Sequence, residues 1–128
     1  KAFSMSKEKQ TIWKAFEHAF SGMYHFFLYE RNGKIHLAAA IVVVMLAVWL
    51  GLQATQWVLL LLCIAMVICL EMVNCAIENL CNHVQEEFHP VIKIVKDVSA
   101  GAVLCASIIS AVIAAVIFIP AISKLLSV

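Results

Sequence analysis

The sequence predicts an all-α membrane protein, a single domain over residues 1–128 in which one helix lies on the membrane surface and three more cross the bilayer. Three observations carry that prediction. Of the 128 residues, 64% are hydrophobic and only 13% charged, against about 45–50% and about 25% in globular chains, so a soluble domain of this size could not hide its apolar surface. Two long segments contain no Asp, Glu, Lys or Arg, as hydrocarbon requires. An amino-terminal segment repeats apolar residues at helical spacing without forming a continuous apolar run. The mean hydropathy of +0.98 and net charge of +1 exclude disorder, collagen-like repeats and charge-driven nucleic-acid binding.

Residues 1–34 form the surface helix and its exit turn. Trp13, Phe16, Phe20, Met23 and Phe27 recur at spacings of three and four, placing them on one face of a helix over about residues 9–31. Lys14, Glu17, His18, Ser21 and His25 fall largely on the other. Such a helix suits the plane of the membrane surface, and the alternative is a cytoplasmic helix packed on the bundle or on a partner. Asn32-Gly33 is expected to supply the turn into the first span. No secretory signal is expected in this region, and a start at Lys1 instead of Met suggests a trimmed natural terminus.

The first charge-free segment, Ile35 to Leu70, has 36 residues, which as one helix would reach roughly 54 Å, far beyond the hydrocarbon core of about 30 Å. It must fold back once. Its polar interruption, Gly51-Leu52-Gln53-Ala54-Thr55-Gln56, supplies a flexible glycine and hydrogen-bonding side chains for the turn, giving helices at 35–51 and 55–82. A cytoplasmic connection over 83–97 leads to the third span at 98–123, whose last turn Pro120 should loosen. Lys1, Lys7, Lys9, Lys14, Arg31 and Lys34 precede the first span, Lys93 and Lys96 separate the second from the third, and Lys124 stands alone at the far end. By the positive-inside bias the amino terminus is cytoplasmic and the carboxyl terminus outside.

The cysteines do not mark a site. Cys63, Cys69, Cys75 and Cys81 recur every six residues, an interval that walks around a helix of about 3.6 residues per turn, and Cys63, Cys69 and Cys105 sit in apolar surroundings and read as small hydrophobes. The acids do mark one. Counting inward from Gln56 places Glu71 inside the inner hydrocarbon edge, where a carboxylate needs a partner or a purpose. Glu71, Asn74, Cys75, Glu78 and Asn82 follow at steps that keep them on one helix face, directed toward the bundle interior. Glu30, Lys96 and Asp97 lie at the same level on other segments, with Glu86, Glu87 and His89 in the connection. Glu86, Glu87 and Lys93 by themselves read as a solvated loop. A structural hydrogen-bond network is the competing reading of the polar face.

Carboxylates, a lysine and an interface helix at the inner leaflet suit phosphoryl transfer to a lipid hydroxyl. Mg2+ takes oxygen ligands from one or two carboxylates plus substrate phosphates, a lysine offsets phosphate charge, and a buried acid orients the hydroxyl. The glycines Gly22, Gly33, Gly51 and Gly101 are too dispersed for a GxxxxGK loop, so a kinase here is not of the P-loop kind.

The run Glu71-Met-Val-Asn-Cys-Ala-Ile-Glu-Asn-Leu-Cys-Asn82 resembles the ExxNSAIExxxD signature of the small prokaryotic membrane diacylglycerol kinase and undecaprenol kinase family. Gly22 with Glu30, the segment Glu30-Arg-Asn-Gly-Lys-Ile-His36, and Glu87-Phe-His-Pro followed by Lys96-Asp97-Val-Ser-Ala-Gly-Ala-Val103 agree in order and spacing, covering about residues 15–104. The resemblance implies a homotrimer with composite active sites in the cell inner membrane. It implies Glu71 as catalytic base on the lipid hydroxyl, with Asn74 and Ala100 beside the lipid substrate. Glu30 and Glu78 match the ligands of Mg-ATP, and His18, Glu87, His89, Lys96 and Asp97 complete the expected ATP-binding set. Ser107, Ala111, Ala115 and Ala100-Gly101-Ala102 would permit the close packing a trimer needs. Two departures stand out: Cys75 replaces the family's Ser, and Asn82 its Asp, removing a negative charge near the nucleotide.

The expected function is therefore transfer of the γ-phosphate of ATP to a lipid alcohol at the cytoplasmic interface. Glu30-Arg-Asn-Gly-Lys-Ile-His36 and the segment from Glu87 to Val103 resemble the undecaprenol kinase branch more than the diacylglycerol-specific one, so undecaprenol is favoured and diacylglycerol is the alternative. The rival classes are a structural membrane subunit and a proton- or ion-conducting oligomer. A pore would need polar residues through the outer half of the second span, where Leu, Val, Ile, Cys, Met and Trp prevail.

Overall fold

The structure, a computed structural model, describes residues 11–127 and is all-helical there. Four helices follow in order: α1 (Ile12–Tyr29), α2 (Arg31–Trp49), α3 (Ala54–Val84) and α4 (Pro90–Leu126). The last three are long and apolar enough to cross a membrane, with mean hydropathies of 1.7, 2.6 and 2.9 over 18-residue stretches. Lys1, Lys7 and Lys9, and the first two residues of the expected surface helix, lie outside the described residues.

The bend between α1 and α2 falls at Glu30, ahead of the expected Asn32-Gly33. Glu30 alone is extended (φ −83°, ψ 132°), closing α1 and opening α2. Its N–H donates to Phe26 O at 3.2 Å and its carbonyl accepts from the Lys34 N–H at 3.3 Å. Asn32 and Gly33 are already in the first turn of α2. Gly33 is there for close approach: a Cβ would stand 2.2 Å from the Phe26 carbonyl oxygen, so only glycine lets α1 and α2 touch. Phe26 is the buried contact residue of α1, while Trp13, Phe16 and Phe20 are exposed.

The turn after α2 is a Schellman motif. The Gly51 N–H donates to Val48 O at 3.2 Å and the Leu52 N–H to Ala47 O at 3.3 Å, with Gly51 in the left-handed region at φ 62°. The Gln53 N–H then donates to Gln56 Oε1 at 2.9 Å in a capping box that starts α3. Next to this turn lies the main apolar core, Ala47, Leu60, Ile117 and Phe118, ringed by residues such as Val43, Trp57 and Ile113. Three spans thus pack at the end of the bundle far from Glu71.

At the other end, the expected connection over 83–97 is much shorter. α4 starts at Pro90, whose fixed φ and missing N–H suit a first helical position. His89 Nδ1 accepts the Val91 N–H at 3.3 Å, capping the helix. Lys93, expected in a solvated loop, is therefore helical and paired with Asp97 one turn on. α4 also runs through Pro120 to Leu126, past the expected end at 123. The most extensive helix contact is α3 on α4, then α1 on α2 and α2 on α3.

Candidate active site

Glu71 is the most deeply buried charged side chain among the described residues, at 3% exposure. Leaving a carboxylate unpartnered there would cost several kcal/mol, and α2 supplies the partner. Asn32 Nδ2 donates to Glu71 Oε1 at 2.5 Å, and His36 Nε2 lies 4.0 Å from Oε2. Asn32 and His36 are four residues apart, one helical turn, so a single face of α2 presents both to the acid. Reading each side chain alone missed both. Their spacing of four on a helix at the level of Glu71 was the available signal.

The polar face of α3 continues outward from Glu71 and changes partners as it goes. Asn74, also buried, accepts from the Ser99 hydroxyl of α4 at 2.7 Å, and that hydroxyl also lies 2.9 Å from the Lys96 carbonyl oxygen. Ser99 is a further residue that the sequence reading did not single out. Cys75, half-buried, accepts from Asn79 Nδ2 at 3.5 Å and lies within the fields of Glu30, Glu71 and Glu78 together. Glu78 and Asn82, expected to face the interior, are exposed. At that height the contact to both comes from α4.

Lys96 is that meeting point. Its Nζ donates to Asn82 Oδ1 at 2.9 Å and stands 3.8 Å from Glu78 Oε1. The amide at position 82 therefore keeps a hydrogen bond with the lysine without adding charge. Glu87, His89, Lys96 and Asp97 line one cleft of about 380 Å³ around the α3–α4 connection, with Asn82 on its wall. Glu30 lies in a second cleft of about 280 Å³, formed by Gly22 and Phe26 of α1 and by Met72, Cys75 and Asn79 of α3. His25 Nε2 is 3.8 Å from Glu30 Oε1. A third, apolar cleft of about 180 Å³ runs between α2, α3 and α4 from His36 to Val43 and Leu60. His18, exposed on α1, and Ala100, exposed on α4, join none of the polar contacts among the described residues.

The arrangement is a buried carboxylate beside His36, which heads an apolar cleft, and, two turns along the same helix, the exposed Glu78 carboxylate beside a lysine. One part can hold an apolar molecule's polar end and the other a charged, water-soluble group. Among the described residues no three His, Cys, Asp or Glu side chains converge into a cage for a metal ion. Glu30 and Glu78 offer hard oxygen donors that suit a cation arriving with phosphate ligands of its own.

Comparison with known proteins places this arrangement in a family. The model of the prokaryotic diacylglycerol kinase family matches residues 17–118. The chain is 34% identical over 113 residues to the undecaprenol kinase of Bacillus subtilis, covering 88% of this chain and 92% of that protein. It is 32% identical over 113 residues to the diacylglycerol kinase of Synechocystis, covering 88% of this chain and 65% of that longer protein. Over 101 residues it is 29% identical to the diacylglycerol kinase of Escherichia coli K12, covering 79% of this chain and 83% of that one. With the match running from α1 to within the last helix, the chain belongs to the prokaryotic diacylglycerol kinase family of membrane lipid kinases.

Proposed function

We propose that this protein transfers the γ-phosphate of ATP to undecaprenol at the cytoplasmic face of the cell inner membrane. The observation that carries the reading is Glu71, a buried carboxylate anchored through one oxygen by Asn32. Its other oxygen is left to act as general base on a hydroxyl. Asn74, held by Ser99, and Ala100 border the lipid on this reading. Lys96 offsets phosphate charge, Asp97, Glu87 and His89 of the same cleft bind the nucleotide, and His18 of α1 completes the set. Mg2+ would be held by Glu30 and Glu78, whose oxygens fit it, and would supply charge neutralisation of the β- and γ-phosphates.

Undecaprenol is favoured because the relative bearing that name matches at 34% identity over nearly its whole length. Diacylglycerol is the second reading, supported by the relatives of that name at 32% and 29%. The exposed aromatic stripe of α1 supports a helix lying in the membrane surface. Exposed small residues Ala100, Gly101, Ala102, Ala111 and Ala115 on α4 support close packing in a homotrimer with composite sites. The basic residues gathered at the Glu30 end support a cytoplasmic amino terminus and an outside carboxyl terminus.

The test is label transfer. The purified protein in mixed micelles with Mg2+ and γ-labelled ATP is offered undecaprenol and diacylglycerol separately. The reading expects label in undecaprenol. Label in diacylglycerol alone would replace the substrate, and label in neither, from folded oligomeric protein, would contradict the function.

A further inference from the structure

We propose that the gap between Glu71 and His36 is the seat of the lipid hydroxyl, that His36 is a second catalytic residue donating a hydrogen bond to the attacking oxygen, and that Asn32 aims Glu71 at it. The inference rests on Glu71 being the base. Its support is geometric. Asn32 Nδ2 occupies Oε1 at 2.5 Å, so Oε2 is the oxygen that remains for a substrate. Oε2 and His36 Nε2 stand 4.0 Å apart, too far for a bond with each other. An oxygen about 2.8 Å from each would subtend about a right angle between them, within reach of one donated and one accepted hydrogen bond. Glu71 is closed off from solvent, whereas a quarter of the His36 side chain is exposed.

His36 also heads the apolar cleft between α2, α3 and α4, and no other titratable side chain except the Cys63 thiol lines it. An alcohol whose chain lies along that cleft brings its hydroxyl to His36 and Glu71 together. In the step, the O–H bond breaks and its proton goes to Glu71 Oε2. The oxygen forms its bond to the γ-phosphorus, the bond from that phosphorus to the β-phosphate bridging oxygen breaks, and ADP leaves with the electron pair. His36 keeps its proton throughout. Its Nε2–H fixes the oxygen so that a lone pair points at the phosphorus, which is catalysis by orientation.

The test compares His36→Leu with His36→Gln in the full chain, in mixed micelles containing undecaprenol and Mg-ATP, with kcat, both KM values and oligomeric state recorded. His36→Leu is expected to lose about tenfold or more in kcat, the scale of one oriented hydrogen bond, at unchanged KM for Mg-ATP. His36→Gln, which retains a donor of similar reach, is expected to restore most of it. Where His36→Leu does not assemble, His36→Asn, polar but too short, takes its place. Wild-type turnover in His36→Leu, or equal losses in the Leu and Gln variants, would overturn the proposal. Glu71→Gln run alongside separates the failures. If it is inactive while His36→Leu is not, the hydroxyl seat alone is wrong; if it is fully active, the base assignment falls and the seat with it.

Discussion

Adding one methyl group at Gly33 should damage the active site through the contact of α2 with α1. A Cβ there would meet the Phe26 carbonyl oxygen at 2.2 Å, the Phe26 carbonyl carbon at 2.9 Å and Cδ1 of its ring at 3.2 Å. The first two atoms are backbone, so no rotamer change relieves them, and an ordinary contact of about 3.4 Å requires α1 and α2 to part by about 1 Å. Overpacking on this scale costs about 1–3 kcal/mol. The functional effect is larger, because Asn32 adjoins Gly33 and holds Glu71 at 2.5 Å. A shift of about 1 Å carries that bond out to about 3.5 Å, beyond useful geometry. Misplacement by that distance costs roughly a hundredfold in rate. Gly33→Ala is therefore expected to retain its helical circular dichroism and oligomeric state, melt lower, and lose about two orders of magnitude in kcat for label transfer to lipid. Wild-type kcat in a correctly assembled Gly33→Ala protein would refute the coupling between the helix corner and the base.

Three further outcomes can be measured on single substitutions. Ser99→Ala leaves the buried Asn74 carbonyl oxygen without its 2.7 Å donor and should destabilise the α3–α4 pair by about 1 kcal/mol, read as a lower unfolding midpoint in detergent. Lys96→Met removes the cation beside Glu78 and Asn82 and should raise KM for Mg-ATP severalfold while leaving KM for the lipid unchanged; equal changes in both would argue against a nucleotide role. Gly51→Ala forces an L side chain to φ 62° and should cost about 1 kcal/mol in thermal unfolding with normal kcat, since the turn lies far from Glu71.

What could be read from the chain, and what could not, divides by physical cause. Hydropathy and charge-free length located three spans because the bilayer acts on each segment separately, and the structure has three helices of that character. The steps of three and four from Glu71 to Asn82 identified a polar face, and the structure shows where that face divides. Periodicity reports which side chains share a face, not which neighbour meets them. Hence Asn32 and Ser99, each an ordinary polar residue in sequence, emerged only when α2 and α4 were seen against α3. Gly33 shows a second limit. Asn-Gly is a turn signal, yet this glycine serves a helix contact, because the same missing Cβ answers to both demands. The early start of α4 was available in principle from Pro90 behind His89, but two lysines and an aspartate in the next turns made that stretch resemble a loop.

The central claim is that the Glu71 carboxylate acts as the base, and Glu71→Gln tests it most directly. The variant keeps size and shape, and Asn32 can still donate to the amide oxygen, so assembly should persist while the proton acceptor is lost. Steady-state label transfer to undecaprenol, measured beside Mg-ATP affinity and oligomeric state, is expected to show kcat down by about 10²–10⁴ with nucleotide affinity and assembly unchanged. Undiminished turnover, or a loss explained entirely by failed assembly, would contradict the account and assign Glu71 to the structural network that binds the helices together.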